Sequence, residues 1–209
     1  MAQYSTVKPE ILDKCAADLR AMTLKWIDYL RYEKKLSPHT LRAYGADVGH
    51  FIVFLFDYLG KNPCIDDLSE VRINGFRSWM SQKAMDGTSN ASRARSLSGV
   101  KNFITWLDKQ GIMHNAAINT VRSPKLPHKI PRPMHQDQAI NLIDNAGFLE
   151  RKDWIGARNY ALFILLYGCG LRINEALSLN IRDFPRDEFL RVTGKGNKER
   201  QVPVLAIVE

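Results

Sequence analysis

SPHTLRAYGADVGHFIVFLFDYLG, residues 37–60, is the stretch that decides the fold. Ser37 suits an N-cap and Pro38 a first helical turn, where a missing backbone N–H leaves no bond unmade. After them Leu41, Tyr44, Val48, Phe51, Leu55 and Leu59 recur three or four apart, which draws one apolar stripe along one long helix. Such a stripe needs neighbours to bury it, and the flanking sequence supplies them. Leu24, Ile27 and Leu30 mark a helix before it, and Val71, Phe76, Trp79 and Met80 mark one after it. Beyond the break DGTSN at 86–90, Leu97, Val100, Ile104 and Leu107 share the face of a further helix. Four amphipathic helices with short connections predict a helical bundle from about Cys15 to Lys109.

Composition bounds what such a bundle could serve. The 209 residues, 45% hydrophobic and 25% charged, are enough for one large or two small cores. Cys15, Cys64 and Cys169 stand far apart and form neither a metal-binding spacing nor a disulfide framework, so a reducing compartment is the default. No apolar signal-peptide core opens the chain, and FIVFLF at 51–56 and YALFILLYGCG at 160–170 are too short to span a bilayer as helices. A cytoplasmic location and no membrane partner follow as expectations. The net charge of +8 lies wholly in residues 1–133, while residues 134–209 balance. A basic first domain favours a polyanion, and nucleic acid is the commonest one.

RSPKLPHKIPRPM, residues 122–134, holds four prolines and no apolar periodicity, so it reads as an extended cationic linker. Past it, HQDQAINLIDNAG, DWIGARNYALFILLYGCG and RINEALSLN read as helices, the second closed by glycines. Strand signals come only at the end, where EFLRVT, the turn GKGN and KERQVPV predict a hairpin.

Three groups of residues invite a chemical reading. TGKGNKERQVPV at 193–204 brackets Lys195 with glycines, but its second glycine is followed by Asn and a strand, which excludes a Walker loop. GCGLRI likewise lacks the third glycine of a dinucleotide fingerprint. His39, Thr40 and Arg42 occupy the first turns of a helix, where backbone N–H groups and the positive dipole end attract phosphates, while Tyr44 falls on the buried stripe. In GCGLRINEALSLNIRDF, residues 168–184, Arg172 follows a glycine break at a helix start, with Glu175 one turn on and able to orient it.

Taken together, GLRINEALSLNIRDF and RVTGKGNKERQVPV closely resemble the first part of the catalytic domain of tyrosine recombinases, the Xer and phage-integrase family. LSPHTLRAYGADV, RARSLSGVKNFITWL and SPKLPHKIPRPM resemble the core-binding domain and interdomain linker of the same family. The likeness covers roughly residues 20–205. It implies a mainly α chain: a four-helix SAM-like core-binding bundle over 1–121, a basic linker at 122–134, and the first part of an α+β catalytic domain with a β-hairpin over 135–209. It also implies a C-shaped clamp on duplex DNA and tetrameric assembly on recombination sites. The family's chemistry is attack of a tyrosine on a phosphodiester, giving a 3′-phosphotyrosyl link and a 5′-hydroxyl without ATP, metal or other cofactor.

By that resemblance Arg172 is the first catalytic arginine, Lys195 the catalytic lysine that protonates the leaving oxygen, and Glu175 the supporting acid. A guanidinium can hold two non-bridging oxygens of the transition state at once, and a lysine is protonated at neutral pH. Lys198 and Arg200 are expected on backbone phosphate. Arg93, Arg95 and Lys101, on or beside the polar face of the fourth helix together with Ser98 and Asn102, are expected on DNA. The family continues with a His-x-x-Arg box and the nucleophilic tyrosine, whereas the tyrosines here, the last being Tyr167, all precede Arg172. The expectation is therefore a truncated recombinase that binds DNA without cutting it. The alternative is a naturally shortened relative that occupies recombination sites or pairs with an intact recombinase.

Overall fold

The computed structural model describes residues 7–126, 132–146, 152–183, 189–194 and 198–204. It divides into two compact units, Met1–His128 and Lys129–Glu209. In the first unit the order is α1 (Pro9–Leu12), α2 (Ala17–Asp28) running into a π-helical turn (Tyr29–Glu33), α3 (Pro38–Leu59), α4 (Ile65–Glu70), α5 (Ile73–Met85), α6 (Asn90–Lys109) and α7 (Ala117–Thr120).

Ser37 caps α3 by accepting from the Thr40 N–H at 3.3 Å, and Gly60 ends it in the left-handed region at φ 66°, a conformation that side chains with a Cβ resist. The expected stripe is the buried one: Leu41, Val48, Phe51 and Leu55 are inaccessible, with Tyr44 and Leu59 packed at the margin. Ser89 caps α6 in the same way, and Leu97, Val100, Ile104 and Leu107 face inward. Aromatic rings fill the centre. Phe51 meets Trp79 edge-on at 4.9 Å and Phe76 at 5.6 Å, while Trp26 lies 5.1 Å from Phe103. Burying each of these rings stabilises the fold by about 2–3 kcal/mol before packing gains are counted.

Two details depart from the sequence reading. Leu24, expected on the core face of α2, is 45% exposed; the buried line is Leu19, Thr23, Trp26 and Leu30, spaced four, three and four apart. The π-helical turn then carries Leu30 inward as the helix ends. The second departure is Asn115, a buried amide with no place in a hydrophobic-periodicity argument. Its Nδ2 donates to the carbonyls of Leu68 at 2.9 Å and Val71 at 3.0 Å, and its Oδ1 accepts from the Ile118 N–H at 3.2 Å. One side chain thereby satisfies the end of α4 and the start of α7.

The second unit comprises α8 (Gln136–Ala146), α9 (Asp153–Gly168), α10 (Ile173–Leu177), a 3-10 turn at Ile181–Asp183 and the antiparallel strands β1 (Phe189–Thr193) and β2 (Glu199–Pro203). Helix α8 turns Ala139, Ile143 and Ala146 inward. Register pairs Val192 with Arg200 and Leu190 with Val202. Period-2 alternation puts Leu190, Val192 and Val202 on one face, against Cys169, Leu171 and Ala176. That face closes a small core at the start of α10. Among the described residues no helix is long and apolar enough to cross a membrane.

Candidate functional site

Gly170, at φ 60°, reverses the chain after α9 so that Arg172, in extended conformation, becomes the N-cap of α10. Glu175, at the third helical position, reaches back: its Oε2 accepts the Arg172 backbone N–H at 2.8 Å. Its Oε1 accepts from Arg172 Nη1 at 3.0 Å. From the hairpin, Arg200 closes a two-pronged pair on the same carboxylate, Nη1 to Oε1 at 2.6 Å and Nη2 to Oε2 at 2.8 Å. The carboxylate is 4% accessible, whereas the Arg172 side chain is 70% accessible. One guanidinium nitrogen of Arg172 is tethered and the rest of its fork faces solvent.

This arrangement fixes the chemistry of Glu175. Arg200 first, and then the Arg172 backbone N–H, hold its pKa down to about 2, so it is ionised at neutral pH. With both oxygens occupied by guanidinium and N–H donors, Glu175 serves as an orienting anion and not as a proton acceptor. In turn the carboxylate raises the pKa of Arg200 above its ordinary value.

Gly194 shows why the hairpin ends in a glycine on this side. A Cβ there would stand 3.1 Å from Glu175 Oε1 and 3.3 Å from Arg200 Nη1, so a side chain would press on the ion cluster and its members would have to give way slightly. The Gly194 N–H donates to the Lys198 carbonyl at 2.8 Å and closes the turn. Lys198 is exposed at its rim. Lys195, expected as the proton donor, lies outside the described residues.

In the first unit, His39 and Arg42 are exposed on the opening turns of α3, and Thr40 is half-buried with its hydroxyl 3.0 Å from that of Ser37. The three expected cations of α6 have partners within the unit. Arg95 Nη2 lies 3.3 Å from Oδ1 of Asp47, a carboxylate 2% accessible in the α3–α6 interface, which also accepts from the Ser96 hydroxyl at 2.7 Å. Arg93 donates to Asn90 Oδ1 at 2.6 Å, and Lys101 donates to the Val121 carbonyl at 2.9 Å. Asn102 accepts from the Trp26 indole N–H at 3.1 Å, which ties it to the core edge.

Sequence reasoning missed Asp47, Gly194 and the inward aim of Arg200. The signal for Arg200 was present: in KERQVPV it alternates with Val202, so a strand that buries the valine also turns the arginine inward. Asp47 carried no comparable signal, because a carboxylate on an apolar stripe reads as an interruption. Among the described residues no cluster of His, Cys, Asp and Glu could hold a metal ion.

The comparisons with known proteins agree on one family. Residues 24–111 match the phage integrase N-terminal SAM-like domain, and residues 133–208 match the phage integrase family itself. Tyrosine recombinase XerC of Rhodospirillum centenum is 41% identical over 201 residues, covering 96% of this chain and 59% of the relative. XerC of Agrobacterium fabrum is 38% identical over 200 residues, covering 95% of this chain and 64% of the relative. The chain thus spans about three fifths of the length of these curated relatives. The fold is shared with a lambda integrase tetramer bound to a Holliday junction (TM-score 0.66, 14% identity, 91% of this chain and 52% of that one). It is shared too with XerH site-specific recombinase bound to difH substrate in a pre-cleavage complex (TM-score 0.60, 19% identity, 96% and 58%). With both family domains matched in order over most of its length, the chain belongs to the phage integrase family and is similar in sequence to tyrosine recombinases of the Xer type.

Proposed function

We propose that this chain binds duplex DNA and carries the opening half of a site-specific recombination centre, with Arg172 as its phosphate-activating group. The observation that carries the reading is the Arg172–Glu175–Arg200 cluster: one buried carboxylate holds an accessible guanidinium at a helix start and ties it to the hairpin that bears Lys195. In a phosphoryl transfer the non-bridging oxygens gain negative charge, and a guanidinium already fixed at one edge stabilises it with little reorganisation. Lys195 is the group that would return a proton to the leaving 5′-oxygen. Glu175 and Arg200 are positioning residues that act through Arg172 and the hairpin.

On this reading none of the tyrosines of the 209 residues, all of which precede Arg172, serves as the nucleophile, and these residues bind DNA without cleaving it. The basic first unit supplies the affinity, with His39, Thr40, Arg42 and Arg95 facing the backbone, and Arg93 and Lys101 contributing beside them. Relatives of this fold solved with DNA, some as dimers or tetramers, support assembly on the duplex. Domain limits at 1–121, 122–134 and 135–209 belong to the same proposal.

The test is a selection of duplexes from a random pool with the 209-residue chain, followed by anisotropy titrations of the selected site. A selected site should bind with log affinity falling steeply over about 50–200 mM salt. If no duplex is retained at the low-salt end, the reading is overturned.

A further inference from the structure

We propose that the first unit holds a phosphate-binding cleft where the chain leaves the helical bundle, built from Arg77, Arg93, Arg122 and Lys125. The inference rests on the DNA-binding reading above, and the expected ligand is a backbone phosphate of duplex DNA. Arg77 was not among the contacts expected from sequence, and Arg122 and Lys125 were read only as part of a cationic linker; they lie on two separate segments, Arg77 on α5 and the other two after α7.

The cleft has a volume of about 880 Å³, and its walls bring these four cations together with no carboxylate among them. Other arginines stand beside a carboxylate, Arg95 at Asp47 and both Arg172 and Arg200 at Glu175. Among the described residues none of the four cleft cations has an ion-pair partner. Like charges gathered without a counter-charge repel one another, and an anion entering between them removes that repulsion as well as adding its own attraction.

The cleft is also held open by bonds of its own. Residues 121–125 are strapped across α6 at both ends: Lys101 Nζ grips the Val121 carbonyl at 2.9 Å, and Asn90 Nδ2 the Lys125 carbonyl at 3.0 Å. Arg93 is anchored through Asn90 Oδ1 at 2.6 Å and the Met80 carbonyl at 3.4 Å, yet its Nε is buried with no acceptor. The first turn of α6, a helix of 20 residues, borders the same space and adds its positive dipole end. Four clustered cations and a helix start border one opening. A tetrahedral phosphate fits that chemistry, and a neutral or cationic ligand does not.

The experiment compares two variants of the full 209-residue chain with equal loss of charge: Arg77→Gln with Lys125→Gln in the cleft, and Lys25→Gln with Lys109→Gln outside it. Arg77 and Lys125 are exposed, so thermal melting should match wild type. In anisotropy titrations with a selected duplex, the cleft variant should bind at least about tenfold more weakly, and its log affinity against log salt should be shallower by about 2, against little change for the control. Inorganic phosphate titrated alone, followed by amide NMR shifts, distinguishes a free-anion site. Should phosphate perturb residues 120–125 while both variants bind duplex alike, the cleft serves small anions and the proposal fails. Equal binding by wild type and cleft variant also overturns it while leaving the DNA-binding reading intact. If wild type retains no duplex at all, the functional reading falls first.

Discussion

The two units hold themselves together by different physics. Among the described residues the largest fully buried side chains, from Leu19 to Ile104, lie in the helical unit, where Trp26 packs on Phe103 and Phe51 on Phe76 and Trp79. The second unit closes a much smaller core around Leu171, Leu190, Val192 and Val202, and leaves Trp154, Tyr167, Ile173, Leu177, Ile181 and Phe189 exposed. Beside that small core, a charged cluster centred on Glu175 also joins the helix start to the hairpin. Hydrophobic burial is insensitive to direction, whereas an ion cluster specifies where a guanidinium points. The first unit is built as a scaffold, and the second as a holder for Arg172.

That contrast can be broken most sharply in the aromatic core. Phe51→Ala should cost about 3–5 kcal/mol of unfolding free energy in urea, since a ring beside those of Phe54, Phe76 and Trp79 leaves a cavity that rigid neighbours fill poorly. A loss below about 1 kcal/mol would mean that the core is not the close-packed centre described. Next in size, Leu190→Ala, at a side chain 2% accessible, should cost about 2 kcal/mol or more. The indole NMR signals of Trp26, Trp79 and Trp106 should stay in place as it does so. Their collapse would show that the two units do not stand on separate cores.

A smaller effect sharpens the role of buried polarity within the scaffold. Asn115→Ala removes the donor shared by the Leu68 and Val71 carbonyls and should cost about 1–3 kcal/mol, read by the same urea titration. Asn115→Asp should not restore it, because a carboxylate offers no N–H to those carbonyls. Smallest in the folded protein at neutral pH is the expected difference in hydrogen exchange between the units. Amides of α3 and α6 should exchange more slowly than those of β1 and β2, because α3 and α6 are enclosed by the larger core. Equal protection would remove the contrast in rigidity, though not in chemistry.

How far the sequence carried this account differs between the same two regions. Helices α3 and α6 were legible because long amphipathic periods repeat the same information every turn, and Ser37 marks the start of α3. Short α4 and α7 were not, since elements of four to six residues are set by partners such as Asn115 and not by their own pattern. Leu24 misled because three leucine-like positions fit more than one helical face; the four-three-four line through Thr23 is visible only when a buried threonine is admitted. At the site, Arg172 and Glu175 were legible because they lie one helical turn apart. Arg200 lies 25 residues from Glu175, and only the strand register brings it back to the same carboxylate. Gly194 was read as turn chemistry, yet its closest constraint is the Glu175 oxygen at 3.1 Å.

The central claim is that one carboxylate, held ionised by Arg200 and the Arg172 N–H, positions the accessible guanidinium. Because the pKa of Glu175 is lowered on folding, its contribution to stability is fully present above the ordinary value of 4.5 and is lost as pH falls toward about 2. The direct measurement is a carbon NMR titration of the Glu175 side-chain carboxyl in the intact chain. The account predicts a midpoint near about 2, moving up toward the ordinary value when Arg200 is replaced by Gln. A midpoint at 4.5 in the unaltered chain would show a carboxylate without these partners, and the description of the site would be wrong.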